Sequence, residues 1–281
     1  MWSVLTPLPL VIPSYVGAYL MISVLGPRGL LQHWLEPLGV QRLPDIYGFP
    51  GAFLVLTLLS YPYVLLSARV ALLRMNPAME EASRNLGSGP WHTFWRVTLP
   101  QLRPSLVAGG LLVTLYVLRD FGAVSLMRYS TFTRAIFLQY QSSFDRTMAA
   151  ILALILVLIA MIILAVDVRT RGRASYHGGD VGSARSAVIV RLGFWRWPSF
   201  CFCVAVVTLA LVMPAGVLVL WLVRGIRAGV DFSSLWVAAL NSLLTSGAAA
   251  GLALLAAIPV AVLSVRYAGR ASSVLERISY A

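Results

Sequence analysis

Of 281 residues, 59% are hydrophobic and 11% are charged, against about 45–50% and about 25% in soluble domains, which excludes a soluble globular protein. The net charge of +12 would suggest nucleic acid in a soluble chain. Here the arginines fall between apolar runs, the pattern of membrane orientation rather than of a nucleic-acid surface.

The apolar runs approach the roughly 20 residues a spanning helix needs, and six spans are predicted: an all-α, polytopic transmembrane helical bundle. The first covers Val4–Leu25, with Pro7, Pro9 and Pro13 expected to bend or break its early part. It lacks a basic leader and a small-residue cleavage site, so it reads as a span rather than a signal peptide. The second covers Gly51–Leu73, with a kink expected at Tyr61-Pro62.

Residues 76–100 then break the apolar pattern. Asn76-Pro77 suits a helix start, since Asn caps free N–H groups and Pro in the first turn loses nothing. Glu80 and Glu81 follow where the helix dipole favours negative charge. Met79, Ala82 and Leu86 form a narrow apolar stripe, and Gly87 stands where a left-handed residue ends a helix. Pro90 opens a second short helix with Trp91, Phe94 and Trp95 on one face, expected to end at Leu99-Pro100. Two readings fit this helix–turn–helix: an interfacial loop with its aromatics among headgroups, or a docking element for a soluble partner.

The third predicted span, Ser105–Leu126, contains Arg119 and Asp120. Ionisable residues at membrane depth are costly and tend to face the bundle interior or a wet cavity. Neighbouring helical positions point about 100° apart, so the two are not expected to pair with each other. Either they line a pathway, or each finds a partner on a neighbouring helix or snorkels outward.

The fourth span is Met148–Val166, and a Gly-, Ser- and Arg-rich stretch follows that reads as a flexible connector. The fifth is Pro198–Val223, flanked by Trp195, Trp197 and Trp221 as an aromatic belt. It holds Cys201 and Cys203, whose spacing on a helix sends them in different directions, as free thiols. The sixth is Val237–Val265. His33, His92 and His177 are scattered, and no metal site is expected. Thirteen arginines lie in 74–104, 167–196 and 266–281, against seven in 26–50, 127–147 and 224–236. The first set is therefore cytoplasmic, with both ends inside. Every basic residue is arginine, and a glycine-rich phosphate loop requires lysine. ATP and magnesium, if used, are expected on a partner chain, with no cofactor in this one.

Within 76–100, Glu81-Ala82-Ser83, Gly87 and Val97-x-Leu99-Pro100 reproduce the spacing of the EAA loop. The chain thereby resembles the inner-membrane permeases of type I ABC importers; Ser83 and Val97 replace a small Ala and an Ile. "LPLVIPSYVGAY", "LPDIYGFPGA", "LYVLRDFGAVSLMRYSTFTRAIFLQYQSSFDR" and "NSLLTSGAAAGLALLAAIPVAV" look like the fused iron(III)-type permeases. The resemblance implies a multi-pass protein of the bacterial inner membrane and a transport subunit rather than an enzyme. Its coupling loop would comprise Glu80, Glu81, Ala82, Ser83, Gly87, Val97, Leu99 and Pro100, with Arg119 and Asp120 as pathway candidates. The implied partners are an ABC ATPase dimer, a periplasmic substrate-binding protein that docks on the outer loops, and a second permease half or subunit. The implied substrate is ferric iron, with polyamine, thiamine or an anion as alternatives. Fused permeases carry two such loops and about twice these spans. The expectation is therefore a partial chain: residues 1–170 as the end of one repeat, 171–197 as a cytoplasmic linker, and 198–281 as the beginning of the next. An ion-coupled secondary transporter would need coupling charges at mid-membrane, for which Arg119 and Asp120 are the candidates. A non-functional fragment is a further reading, and a membrane enzyme is the least favoured, since no Ser/His/Asp, HExxH or paired-carboxylate arrangement shares a predicted face.

Overall fold

Proline placement decides how the chain begins. The computed structural model describes residues 2–141, 146–172, 193–229 and 233–266. Helix α1 (Trp2–Leu5) gives way to a 3₁₀ turn at Leu8–Val11, and α2 (Ser14–Leu25) starts only after Pro13, in extended backbone. The predicted first span is thus two helical pieces meeting at 98°. Pro7, Pro9 and Pro13 each withdraw a donor that a continuous helix would need.

A short α3 (Leu30–Leu35) leads to α4 (Phe49–Arg74), which runs unbroken through a fully buried Pro62. Local bonds support that stretch: the Ser60 hydroxyl donates to the Leu56 carbonyl, and the Tyr61 hydroxyl donates to the Thr6 carbonyl at 2.6 Å. Two short helices, α5 (Ala78–Asn85) and α6 (Pro90–Thr93), connect α4 to α7 (Leu99–Arg119).

Two expectations about the third span need correction. Leu99-Pro100 does not end a helix, because α6 passes through a π turn at Phe94–Thr98 directly into α7. The Leu99 N–H reaches back to the Phe94 carbonyl, a five-residue step. The extra residue in that turn makes room for Pro100, which can neither donate nor tolerate the carbonyl below it. At the other end the span stops at Arg119, not Leu126, because Asp120 is extended (φ −67°, ψ 129°) and opens a separate helix, α8 (Gly122–Leu126).

Helices α9 (Phe132–Gln141) and α10 (Arg146–Gly172) follow. Next come α11 (Arg196–Val207), a second π turn at Thr208–Val212 just ahead of Pro214, α12 (Met213–Arg227) and α13 (Ser233–Arg266). Among the described residues five helices are long and apolar enough to cross a membrane, or six with the bent first pair counted as one. Most of the expected linker, residues 173–192, lies outside the described residues, as does His177.

The chain divides into two compact units, Met1–Val219 and Leu220–Ala281. The first has a core of Ala18, Met21, Ala52, Val55, Leu59, Val124, Met127 and Ala210, drawn from α2, α4, α8 and the second π turn. Small residues let its helices close up: a Cβ added to Gly109 of α7 would sit 2.8 Å from the Val64 Cα of α4. In the second unit α13 leaves Leu243, Leu252 and Leu255 exposed, at 70%, 68% and 68%, an apolar surface of the kind lipid or another membrane helix covers.

Candidate functional site

Residues 76–98 build a closed hairpin between the end of α4 and the start of α7. Asn76 begins it, its side-chain oxygen accepting the Ala78 N–H at 3.0 Å. Helix α5 then ends in a Schellman motif: the Ser88 N–H bonds the Ser83 carbonyl at 3.2 Å and the Gly87 N–H bonds the Arg84 carbonyl at 2.9 Å. Gly87 takes φ +83°, and a Cβ there would meet nothing within 4 Å. The position therefore demands glycine for its backbone conformation alone.

The returning limb is fastened to α5 by two side-chain bonds. The Thr98 hydroxyl donates to the Glu80 carboxylate, and the Ser83 and Thr93 hydroxyls lie 3.1 Å apart. Thr93 and Thr98 are buried, at 1% and 6% exposure. Of the two acids at the start of α5, Glu80 is thus turned inward, while Glu81 is exposed with Ala82 beside it. Met79 (58%) and Leu86 (86%) also project into solvent, seven positions apart on one side, while Arg84 and Asn85 are exposed as well. The outer surface of α5 thus pairs an apolar side with a polar one that carries Glu81. Val97 and Leu99 are half-buried and Pro100 is exposed. Trp91, Phe94 and Trp95 form an edge-to-face chain, with centroids 6.5 and 5.8 Å apart. All three are exposed.

Sequence reasoning missed Thr93 and Thr98. Their signal was available: two threonines five residues apart in a limb rich in aromatic residues, facing a helix with Glu80 and Ser83 three residues apart. What could not be read was the π turn that swings Thr98 toward α5.

Arg119 and Asp120 lie at the far end of α7 and separate in role. Asp120 is buried; its carboxylate accepts the Ala123 N–H at 2.9 Å as a cap of α8, and its carbonyl accepts the Thr133 hydroxyl at 2.7 Å. The Arg119 guanidinium carbon lies 5.9 Å from the centroid of the Tyr116 ring. The two do not form an ion pair.

Residues 1–171, the whole hairpin included, match the family described as binding-protein-dependent transport system inner membrane component. Among curated proteins, the chain is 32% identical over 277 residues to an Fe(3+)-transport system permease protein, FbpB 2, of Haemophilus influenzae. That alignment takes in 97% of this chain and 51% of the relative. A sulfate transport system permease protein, CysW, of Synechocystis is 30% identical over 175 residues, 60% of this chain and 62% of its own. The molybdenum transport system permease protein ModB of Escherichia coli is 30% identical over 172 residues, 57% and 72% of the two chains. The chain thus spans about half the length of the iron-named relative and under two thirds of the sulfate-named one.

Proposed function

The chain belongs to the binding-protein-dependent transport system inner membrane component family, and from that premise we propose that it acts as the permease part of an ATP-driven importer, coupled through its 76–98 hairpin to a separate ATPase. The observation that carries this reading is the hairpin itself. It is a short helix whose position is set by Asn76, Gly87, Glu80–Thr98 and Ser83–Thr93, and it offers Met79, Leu86 and Glu81 outward. A groove that accepts an amphipathic helix gains affinity from such apolar anchors and register from a charge at the edge. Because α6, the π turn and α7 form one continuous helical path, a displacement of the docked hairpin is passed directly to the packed α4–α7 pair. ATP closure of the partner would rock that pair between inward- and outward-facing arrangements. ATP and its magnesium would be held by that partner, and a periplasmic binding protein would deliver the substrate to the outer loops. A second permease half or subunit would complete the pathway.

Ferric iron is the substrate we favour. The similarity to the iron-named permease extends over 97% of this chain, against 60% and 57% for the sulfate- and molybdenum-named ones. Arg119 is the pathway-facing candidate of its pair, while Asp120 holds the turn that sets the mouth of α7. The test is co-purification of an ABC ATPase subunit of the same host with this chain from detergent extracts, with Glu81→Ala and Met79→Ser as variants. Retention of the ATPase should fall while membrane insertion is unchanged; undiminished retention in both variants refutes the docking role. Uptake of radioactive iron, competed by sulfate or molybdate, separates the substrates.

A further inference from the structure

At the end of the first unit opposite the hairpin, a cleft of about 620 Å³ opens between the C-terminus of α2 and the segment leading into α4. The distribution of arginines places this end outside the membrane. Arg28, Gln41, Arg42, Tyr47 and Ser23 line it. No carboxylate is among its walls. Asp45, close by in sequence, spends one oxygen on the Tyr47 N–H at 3.0 Å. Neither Arg28 nor Arg42 has an ion-pair partner among the described residues.

The walls are anchored. Buried Gln32 donates to the Gln41 carbonyl at 3.2 Å, fixing the strand of chain that carries Arg42. Tyr47 carries a third cation, with the Arg128 guanidinium carbon 4.8 Å from its ring centroid. Arg128 takes φ +54°, which a side-chain-bearing residue adopts only when its surroundings enforce it. Its carbonyl accepts from Arg134 at 3.1 Å and the next N–H bonds back to Val124 at 2.9 Å. Two guanidiniums, those of Arg28 and Arg42, therefore line one polar recess with no carboxylate on its walls, and a third, Arg128, stands against the ring of its wall residue Tyr47.

We propose that this cleft binds a polyatomic anion, a carboxylate or a tetrahedral oxyanion, held between Arg28 and Arg42. Guanidinium forks match such groups with paired hydrogen bonds, and the Gln41 amide and Tyr47 hydroxyl supply neutral donors. The anion is either free in solution or the side chain of an acidic segment on a protein approaching the outer face. This inference is independent of the ATPase-docking reading, which concerns the opposite end of the molecule.

Calorimetric titration of the purified full chain in detergent tests it, with sodium sulfate in one arm and a hexaglutamate peptide in the other, at constant ionic strength set with chloride. Saturable binding is expected in at least one arm, weakened about tenfold by Arg28→Gln or Arg42→Gln and partly restored by Arg42→Lys. Binding of sulfate identifies a free-anion site, whereas binding of the peptide alone identifies an acidic protein segment as the source. The variants should unfold at the wild-type temperature in chloride, which shows that the fold is intact. Absence of binding in both arms, or equal binding by wild type and both glutamine variants, overturns the proposal. ATPase retention through the hairpin would be unaffected by either result.

Discussion

Replacing Thr98 by valine removes one hydroxyl, preserves the branched shape, and cuts the bond between the docking helix and the entrance of α7. A hydrogen bond to a charged acceptor contributes about 1.5–3 kcal/mol. Thr98 is 6% exposed, so its hydroxyl is not replaced by water, but Glu80 is half-exposed and can rehydrate. The loss should fall around the bottom of that range or a little below it, about 1–2 kcal/mol. The neutral Ser83–Thr93 pair contributes a further 0.5–1.5 kcal/mol or so, so hairpin opening should rise about 5–30-fold in Thr98→Val and more in the double variant with Ser83→Ala. Amide hydrogen exchange over residues 78–98, followed by mass spectrometry in lipid nanodiscs, reads this directly. Exchange should quicken in the hairpin and stay unchanged in the middle of α4, because the bond ties only the loop. Unchanged exchange in 78–98, or an equal rise throughout α4 and α7, would refute the idea that these hydroxyls fasten the hairpin.

Gly87→Ala should cost about 1–2 kcal/mol through its left-handed backbone alone, with Gly87→Asn milder, and limited proteolysis at residues 86–90 should rank them in that order. Gly109→Ala should lower the thermal midpoint in detergent, since its Cβ would meet Val64 and Ser67 at 2.8–3.1 Å; overpacking of this kind costs about 1–3 kcal/mol. Gly110→Ala, with nothing within 4 Å, should be neutral or slightly stabilising, and equal effects at the two positions would contradict the α4–α7 packing. Asp120→Asn should keep most of the cap on α8, whereas Asp120→Leu should lose about 1–2 kcal/mol; proteolysis rates near residues 120–130 distinguish them.

Much of this molecule was legible one residue at a time. Apolar run lengths identify the spans, because each must satisfy its backbone within itself once water is absent. Asn76 and Gly87 mark the ends of α5 because capping depends on only a few neighbouring atoms. The EAA-type spacing singled out the hairpin, and the family match covers the same residues.

Other features depend on residues far apart in the chain. Pro100 was expected to stop a helix, and nothing local says that a π turn will carry the chain past it. That outcome needs the aromatic limb held against α5 by Thr93 and Thr98. The third span was expected to reach Leu126, since its apolar pattern is uninterrupted after Asp120. Only the packing of α8 against α2 and α4, with Gly122 close against Ser14 and Tyr15, makes Asp120 a cap instead of a helical residue. The division of labour between Glu80 and Glu81 is likewise tertiary: adjacent acids look equivalent until a partner ten to twenty residues away claims one. The sequence by itself determined where the apolar spans lie and the place of the hairpin, through chain-local hydrogen bonding and burial. The tertiary structure decided where helices bend, which carboxylate stays free, and which arginines meet at the outer cleft, because those depend on contacts that no single segment contains.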